Sequence, residues 1–324
     1  MKIVTATESR ELDKRASEEY GVQVSDLMEQ AGKALALTLA DFSDAEKILV
    51  LCGPGNNGGD GLAAAREIKR SGREVTVCLS CDPPQLSMEA MRQYRKVVED
   101  EIPIFSPSEE GYKQVLQNIS DYDAVIDALL GTGAKPELRD EIKRMVETCK
   151  NASLIISADI PTGTDPDTGI AKEPCIHADV TVSFGLPKPC FFQNDGLNTC
   201  GDWRVVNIGF PEELLKSAGR AFLLLSDFVF GLLPSRTRGM HKWSSGSLLV
   251  VAGSDDYLGS AGLVARGGLR AGAGMVTVAS IPRVLENVSH HLSECTLQEL
   301  EEEDGHISAK NFEKIAKLSE RYDV

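Results

Sequence analysis

A glycine-rich segment at residues 53–61 constrains the fold more than any other part of the chain. It reads GPGNNGGDG, follows the apolar run 48–52 and precedes a helix-forming run that begins at Leu62. A strand, a glycine-rich turn and a helix in this order are typical of phosphate binding in α/β proteins. Glycines let backbone N–H groups approach an anion at the positive end of the helix. The sequence therefore predicts a nucleotide-binding turn, and the alternative is a strand-to-helix turn without a ligand.

This segment differs from the two common phosphate-binding patterns. It matches neither Gly-x-Gly-x-x-Gly nor the Lys-Ser/Thr phosphate loop. Asn56, Asn57 and Asp60 add side-chain oxygens that a phosphate cradle does not need. We therefore expect the turn to hold a second group besides a phosphate.

Strand-like and helix-like segments alternate along the first two-thirds of the chain. Two helices come first: Thr5 and Glu8 form a possible capping box for one, which is broken at Gly21, and the other begins at Ser25. Strands are predicted at residues 48–52, 75–79, 102–105, 124–129, 154–157, 180–184 and 203–208. Several are continuous apolar runs, as expected for strands that are buried on both faces. The predicted fold class is α/β, a Rossmann-like three-layer α/β/α sandwich with a mainly parallel sheet.

A second α/β unit follows a polar, turn-rich stretch at residues 234–239. We predict a strand at 247–252, a Gly/Asp loop at 253–259, a helix at 260–273, a strand at 275–279 and a final helix in the tail. The acidic run 299–304 is interpreted as a solvated loop. The predicted domains are residues 1–218 and 219–324. Because the second has too few strands to close a domain, we expect the sequence to be a fragment; the alternative is that this part docks on the first domain.

The composition limits the partners and the compartment. Among 324 residues, 34 Lys and Arg against 49 Asp and Glu give a net charge of −15, which argues against a nucleic-acid surface. No segment resembles a signal core or a membrane span, so we expect a cytoplasmic protein with no membrane partner. The eight cysteines are then interpreted as reduced packing residues. Oligomeric state, a homo-oligomer included, is left open.

A C-x-x-C pair and a histidine are two further residue types that bind metals in other proteins. Cys78 and Cys81 form a C-x-x-C pair, but no second ligand pair accompanies them, and a zinc site needs four ligands. His177 precedes a strand and belongs to no pattern that would make it a ligand. We expect no metal at either place.

Polar residues gather in three predicted loops at the carboxyl ends of strands, where ligands bind in parallel sheets. These loops are residues 53–61, 127–134 and 158–165. Asn57, Asp127 and Thr162 would offer an amide, a carboxylate and a hydroxyl oxygen, a set that suits a monovalent or group-two cation. The alternative is that Asp127 caps a loop and Thr162 caps a turn.

Two residues are candidates for proton transfer. Asp159 ends a buried strand, and desolvation there would raise its pKa towards the range of a general acid or base. Lys188 lies between two prolines in GLPKP, which would hold its loop stiffly at the mouth of the sheet. The alternative for Lys188 is a solvated surface lysine.

Five motifs in order resemble the NAD(P)H-hydrate epimerase family: LMEQAG at 27–32, GNNGGDG at 55–61, DALLGTG at 127–133, DIPTG at 159–163 and GLPKP at 185–189. The resemblance implies a Rossmann-like fold and a small-molecule substrate, a hydrated NADH or NADPH whose C6 hydroxyl is interconverted between R and S forms. It also implies a potassium ion in the site.

The resemblance assigns roles by motif. It implies potassium ligands at Asn57, Asp127 and Thr162. Thr162 stands where serine is more usual and keeps the hydroxyl; Cys190 stands where glycine commonly follows Lys-Pro. The substrate contacts that it implies are Asn56, Asn57, Gly58, Gly59, Asp60, Gly131, Thr132, Gly133, Ala134, Lys135, Pro136, Glu137 and Asp159.

The second unit resembles the beginning of the ADP- or ATP-dependent NAD(P)H-hydrate dehydratase, a ribokinase-like enzyme. The matching motifs are HK at 241–242, SLLVVAG at 247–253, YLGSAG at 257–262 and LRAGAG at 269–274. WSS at 243–245 replaces the commoner Gly-x-Phe, and no Gly-x-Gly-Asp motif follows Gly274. We therefore expect the dehydratase half of this chain to be inactive, and the full-length form to carry both activities.

Two other functions are compatible with the fold class. One is a non-catalytic nucleotide-binding module, against which Asp127, Asp159 and the glycine-rich segment argue. The other is a nucleotide-dependent kinase acting through the ribokinase-like part, against which the missing nucleotide motifs argue.

Overall fold

The computed structural model describes residues 1–133, 138–233 and 238–324, and it divides into two units. The first unit is Met1–Val229 and the second is Phe230–Val324. The division lies beyond the predicted domain boundary at 218/219, because Ala221–Phe222 pairs with the N-terminal strand Lys2–Ile3. The assignment of a separate function to each part stays a prediction.

The first unit alternates strands and helices. Its strands are β1 (Lys2–Ile3), β2 (Lys47–Cys52), β3 (Glu74–Leu79), β4 (Ile104–Phe105), β5 (Ala124–Ala128), β6 (Ile155–Ala158), β7 (Val180–Phe184), β8 (Asp202–Val206) and β9 (Ala221–Phe222). Its α-helices are α1 (Ala6–Tyr20), α2 (Val24–Phe42), α3 (Asn56–Arg70), α4 (Met88–Glu99), α5 (Tyr112–Gln117), α6 (Asp140–Thr148), α7 (Gly196–Thr199) and α8 (Glu212–Ser217). Helix α9 (Ser226–Leu232) extends across the division.

Strands β2 to β8 form one parallel sheet in the order β4-β3-β2-β5-β6-β7-β8. The chain builds outwards from β2 to β4 and then returns to the other side of β2 at β5. That reversal is the topological switch point, the place where open α/β sheets bind ligands. All carboxyl ends lie at one edge, so the loops after β2, β5 and β6 meet there. The predicted sheet is confirmed.

Helices cover both faces of this sheet. Along β2, Ile48 and Val50 pack in one core cluster with residues of α2, α3 and α4, whereas Leu49 and Leu51 pack in another with residues of α5 and α6. Both faces of the strand are therefore buried, which explains its unbroken apolar sequence. The three-layer sandwich is confirmed.

The two N-terminal helices follow the predicted signals. Thr5 and Glu8 form the capping box of α1, and Gly21 ends the helix in the left-handed region at φ 68°. Helix α2 begins at Val24, one residue before the predicted start. It packs closely on α3, because a Cβ on Gly32 would lie 2.6 Å from the carbonyl carbon of Ala63.

The start of α3 was predicted wrongly. The helix begins at Asn56, with Gly55 as its N-cap, and not at Leu62. A Cβ on Gly58 would lie 1.9 Å from the carbonyl oxygen of Gly53. Glycine at position 58 is therefore required for close packing of the first helical turn on the strand end, in addition to any contact with a ligand.

The second unit contains a smaller parallel sheet in the order β10-β11-β12. Its elements are β10 (Ser247–Val251), α10 (Ser260–Ala271), β11 (Met275–Ser280), α11 (Pro282–His291), β12 (Thr296–Glu299), β13 (Glu302–Glu303), β14 (His306–Ile307) and α12 (Phe312–Ser319). The solvated loop predicted at 299–304 is wrong in part, since β13 pairs with β14 in a hairpin. Asp304 and Gly305 both have positive φ in its turn, which is the Asp-Gly signal for a tight hairpin.

None of the helices in the described ranges has both the length and the apolar character that crossing a bilayer requires.

Candidate functional site

A pocket of about 420 Å³ opens at the carboxyl edge of the large sheet. Its walls come from the loops after β2, β5 and β6, from α1, α2 and the start of α3, and from residues at and after the ends of β7 and β8. This volume is within the usual range for small-molecule sites. The lining residues are Ser9, Arg10, Leu12, Asp13, Val24, Leu27, Met28, Pro54, Gly55, Asn56, Asn57, Asp60, Leu129, Leu130, Gly131, Thr132, Gly133, Asp159, Phe184, Ile208 and Phe210.

Most of the predicted substrate residues line this pocket. They are Asn56, Asn57, Asp60, Gly131, Thr132, Gly133 and Asp159. The loop after β5 lies against α3, because a Cβ on Gly131 would be 3.2 Å from Asn57 Oδ1. Gly58 and Gly59 do not line the pocket: both are buried, facing the Gly53 carbonyl and the Met28 side chain. Ala134, Lys135, Pro136 and Glu137 lie outside the described residues.

Asp127 and Thr162 are hydrogen-bonded to each other and do not line the pocket. Thr162 donates to Asp127 from its hydroxyl at 2.7 Å and from its backbone N–H at 2.9 Å. Ser157 Oγ and the Leu129 N–H donate to the same carboxylate at 2.9 and 3.2 Å. These bonds tie the loops after β5 and β6 together, as the capping alternative expects.

The Asp127 carboxylate is nevertheless an unusual group to bury. It is fully inaccessible to solvent, and its partners within the described ranges are neutral donors. Burial raises the pKa of Asp127, and the hydrogen bonds, those of Thr162 foremost, oppose that rise. A buried carboxylate without a cationic partner is costly to ionise, so such a group keeps its proton or takes up a cation.

Asp159 and Lys188 form a buried ion pair. Lys188 is fully inaccessible, and its ammonium group donates to Asp159 Oδ1, to Ser183 Oγ at 3.1 Å and to the Phe184 carbonyl at 3.1 Å. The surface-lysine alternative is therefore wrong. The two residues follow the adjacent strands β6 and β7, which brings together side chains that are far apart in sequence.

The backbone of Asp159 is held in a sparsely populated conformation. Its φ is 67°, in the left-handed region, which residues other than glycine, asparagine and aspartate rarely adopt. The Asp159 N–H donates to the Val182 carbonyl at 2.8 Å, which anchors this residue to β7. Strain of this kind is common where a side chain must be aimed at a ligand.

Two pocket residues on α1 were not predicted from the sequence. Arg10 is the single lysine or arginine side chain among the described residues that line the pocket. Asp13 also lines it and keeps contact with solvent; partial burial, together with the charge of Asp159, raises its pKa to about 6, and Lys188 opposes the rise. The one available signal was an acid next to Leu12, which packs in the core.

Asp60 is the third acid that lines the pocket. Burial raises the pKa of Asp60 well above its ordinary value, and the charges of Asp159 and Asp13 add to that rise. Within the described ranges, only Asp159 of these three acids has an ion pair. The pocket thus holds three acids, and the pKa values of Asp13 and Asp60 are both raised.

Both the sequence and the fold are similar to those of known proteins. The family model described as "YjeF-related protein N-terminus" matches residues 24–190, which include Asn57, Asp127, Asp159, Thr162 and Lys188. The yeast protein ynu0, YNL200c, has a crystal structure that is similar to this chain with a TM-score of 0.58. The two are 27% identical, and the match covers 68% of this chain and 96% of the yeast chain.

Three curated proteins illustrate the sequence similarity. The bifunctional NAD(P)H-hydrate repair enzyme Nnr of Thermofilum pendens is 36% identical over 327 residues, which is 100% of this chain and 62% of that protein. The enzyme of the same name from Dictyoglomus turgidum is 31% identical, over 100% of this chain and 63% of its own length. The NAD(P)H-hydrate epimerase of Rhodopirellula baltica is 36% identical over 217 residues, 66% of this chain and 86% of that protein. This chain therefore spans less than two-thirds of the length of the two bifunctional relatives.

Proposed function

The chain belongs to the family of YjeF-related protein N-termini, and from that premise we propose that its first unit is an NAD(P)H-hydrate epimerase. The proposed reaction interconverts the R and S forms of hydrated NADH and NADPH at C6, a metabolite-repair step. The R. baltica relative carries that name, and the similarity covers most of its length.

The observation that carries the proposal is the ion pair of Asp159 and Lys188 at the pocket. A carboxylate aimed into a pocket and held by a buried ammonium group is suited to general acid–base catalysis. Epimerisation at C6 needs such a group. A proton must leave the C6 oxygen when the bond between C6 and the ring nitrogen breaks, and it must return when that bond re-forms. We assign Asp159 to that proton transfer and Lys188 to holding Asp159 in place.

The substrate-binding residues are assigned from the same pocket. Helix α3 presents its N-terminus there, and free N–H groups at a helix N-terminus bind phosphate oxygens. Asn56, Asn57 and Asp60 then face the substrate from α3, and Gly131, Thr132 and Gly133 face it from the loop after β5. Gly58 and Gly59 contribute through the backbone of the same turn. The contacts of residues 134–137 remain those that the resemblance implies.

A potassium ion fits the residues beside the pocket. Asp127 supplies a buried carboxyl group whose partners in the described ranges are neutral donors. Thr162 Oγ1 keeps a lone pair after accepting from the Leu130 N–H at 3.2 Å. Asn57 Nδ2 is buried without an acceptor, and a turn of that amide by 180° would place its oxygen there instead. One charge and neutral oxygens suit a monovalent cation. Bound there, potassium would neutralise Asp127 and fix the loops that line the pocket.

The second unit is proposed to be part of an NAD(P)H-hydrate dehydratase. The bifunctional relatives cover the whole of this chain, which includes residues 230–324. In the full-length protein that half would dehydrate the S form with ADP or ATP, and in this chain we expect it to be inactive. A cytoplasmic location fits a substrate made from a soluble cofactor.

The test is chromatographic separation of the two epimers of hydrated NADPH. One pure epimer is mixed with the protein, with and without potassium, and the other epimer is followed against the spontaneous rate. We expect potassium-stimulated exchange that Asp159→Asn reduces by about 10²–10⁴-fold. Asp202→Asn, an exposed acid outside the pocket, is the matched control and should exchange normally.

Three outcomes would each contradict one part of the proposal. Binding of hydrated NADPH without any acceleration by the wild-type protein would indicate a non-catalytic binding module. Full activity of Asp159→Asn would leave the reaction in place and remove Asp159 from it. Asp127→Asn with undiminished potassium stimulation would exclude the ion site described here.

A further inference from the structure

The pocket contains one acid that is suited to donate a proton and one that is suited to accept it. Asp159 has a buried lysine as its partner, and the Lys188 ammonium group donates to its Oδ1. Asp13, on α1, lines the same pocket without an ion pair in the described ranges. Two carboxyl groups around one pocket resist simultaneous ionisation, and the group without a cationic partner is the one suited to carry a proton.

The charged groups that surround Asp13 are consistent with this division. Asp60 on α3 and Asp159 after β6 oppose its ionisation, whereas Lys188 after β7 favours it. Arg10 lines the pocket on the same helix as Asp13. Partial burial is the largest influence, and the pKa of Asp13 is raised to about 6. About half of the group is therefore protonated at pH 6, and about a tenth at pH 7.

We propose that Asp13 is the catalytic acid that works with Asp159 as the base in the epimerisation, an inference that rests on the proposed function. Asp159 takes the proton of the C6 hydroxyl, and the electron pair of that O–H bond forms the carbonyl double bond. The C6–N1 bond breaks with its electron pair going to N1, which takes the proton of Asp13. Rotation about the C5–C6 bond presents the other face of the aldehyde. The same steps in reverse close the ring and return each proton to its first owner, so no other reactant is consumed.

The pH dependence of exchange tests this assignment. We expect enzymatic exchange to decrease as pH rises above about 6, because the acid form of Asp13 is lost. Asp13→Asn should lower the rate by about 10²–10⁴-fold and remove that limb of the profile. Asp13→Glu should restore part of the rate. Glu11→Gln, an exposed acid on the same helix outside the pocket, should keep the wild-type profile.

The outcomes separate this inference from the proposed function. If the wild-type protein does not exceed the spontaneous rate, the epimerase proposal fails and this inference fails with it. If the wild-type protein is active and Asp13→Asn keeps both rate and pH limb, only the role of Asp13 is refuted. Far-UV circular dichroism and binding of NADPH, measured on every variant, distinguish a lost proton donor from a misfolded pocket.

A second, independent cluster lies before β7. Glu173, Cys175 and His177 are two residues apart along the chain, and the metal-ligating atoms of their side chains lie within 4.8 Å of one another. Cys175 Sγ lies 3.6 Å from His177 Nε2 and 3.7 Å from Glu173 Oε1, and the last two atoms are 3.7 Å apart. We call these three residues the ligand triad.

The spacing of the ligand triad matches a tetrahedral metal site. With metal–ligand bonds of about 2.0–2.3 Å, the ligands of tetrahedral zinc lie about 3.3–3.6 Å apart. The separation of 3.6 Å lies within that range and the two of 3.7 Å are just above it, so small side-chain rotations bring all three atoms to one ion. The segment is fixed from outside, since the Ile176 N–H donates to the Thr162 carbonyl at 2.8 Å and the Lys172 N–H to the Gly163 carbonyl at 3.2 Å.

We infer that the ligand triad binds one zinc-like divalent ion, with its fourth position open to water. Thiolate, imidazole and carboxylate together suit a borderline-soft ion. Glu173 and His177 are exposed, so an ion reaches the site from solvent, while the buried Cys175 anchors it. The sequence pattern had not marked His177 as a ligand, because its partners follow no common zinc spacing.

Titration of the intact chain with Zn²⁺ and with Co²⁺ tests the site. We expect one equivalent of ion and, with Co²⁺, a charge-transfer band from a thiolate ligand. Cys175→Ser should abolish the band. Glu173→Gln or His177→Gln should weaken binding by at least about tenfold, because loss of a group that only orients a metal ligand already costs about that much. Cys295→Ser, a partly exposed free thiol elsewhere, and His306→Gln are the matched controls. Equal binding by the triad variants, or loss of the band in Cys295→Ser, would show adventitious binding and overturn the inference.

Discussion

Replacement of Lys188 by methionine should destabilise the first unit by about 3–5 kcal/mol. Methionine preserves an unbranched apolar stem, so the change mainly removes the ammonium group. That group is fully buried and donates to Asp159 Oδ1, Ser183 Oγ and the Phe184 carbonyl. Its loss leaves the Asp159 carboxylate unpaired in a site where solvent reaches little of it. The expected loss is a large fraction of the about 5–15 kcal/mol that stabilises a typical domain.

A surface ion pair provides the comparison. Lys216 and Glu212 lie 3.0 Å apart on α8, with 76% and 80% of their side chains exposed. Solvent screens such a pair, and we expect Lys216→Met to change the free energy of unfolding by no more than about 0.5 kcal/mol. The difference between the two lysine variants then isolates the effect of burial.

The assay is urea unfolding monitored by tryptophan fluorescence in a Trp243→Phe background. Trp203 then reports on the first unit alone, where it stacks on Phe191 with ring centroids 5.7 Å apart. Adding Asp159→Asn to Lys188→Met should recover at least about 1 kcal/mol, because the unpaired charge is gone. A loss below about 1 kcal/mol in the single variant, or no recovery in the double variant, would refute the buried ion pair as a source of stability.

Three further outcomes follow from the pocket and its helices. Arg10→Ala should raise KM for hydrated NADPH about tenfold with kcat little changed, since a charge-assisted contact is worth about 1.5–3 kcal/mol. Lys14 is an exposed lysine on the same helix, and Lys14→Ala should change neither constant. Gly58→Ala should lower the free energy of unfolding by at least about 1–3 kcal/mol, because its Cβ would lie 1.9 Å from a backbone oxygen, and Gly55→Ala, with open space around its Cβ, should be tolerated. The pKa of Asp13 is raised from 3.8 to about 6, so ionisation of its carboxyl group above about pH 6 opposes folding. Asp13→Asn should therefore melt at a higher temperature than the wild-type protein above pH 7, and the difference should disappear as pH falls towards 4.

The sheet could be predicted from the sequence because its signals are local. Strands such as β2 are apolar on both faces, and glycine-rich turns or polar helices separate them, so each strand is recognisable alone. The start of α3 was missed for the opposite reason. Asparagine and glycine have low helix propensity, and the helix forms there because Gly58 fits against the strand-end carbonyl of Gly53. That contact belongs to the tertiary structure and has no local signal.

The site shows the same division. Asp159 and Lys188 were both recognised as candidates, and their pairing follows from the adjacency of β6 and β7 in the sheet. Asp13 could not be placed, because α1 precedes the sheet in sequence and nothing local indicates which edge of the sheet it covers. The hairpin of β13 and β14 was predictable from Asp304 and Gly305, but the acidic residues around that turn suggested a solvated loop.

The charges of the pocket explain how an acidic protein can bind an anionic substrate. A net charge of −15 repels a pyrophosphate at long range, and Arg10 is the single lysine or arginine among the described lining residues. The pocket is nonetheless close to neutral at low pH, because Asp60 and Asp13 retain protons and Lys188 balances Asp159. Ionisation of Asp13 above about pH 6 adds a negative charge beside the ligand, so the affinity for NADPH should decrease over the pH range in which exchange slows. If the dissociation constant for NADPH does not change from pH 5 to 8 while the exchange rate falls, then the loss of the proton donor slows exchange and the negative charge of Asp13 does not weaken binding.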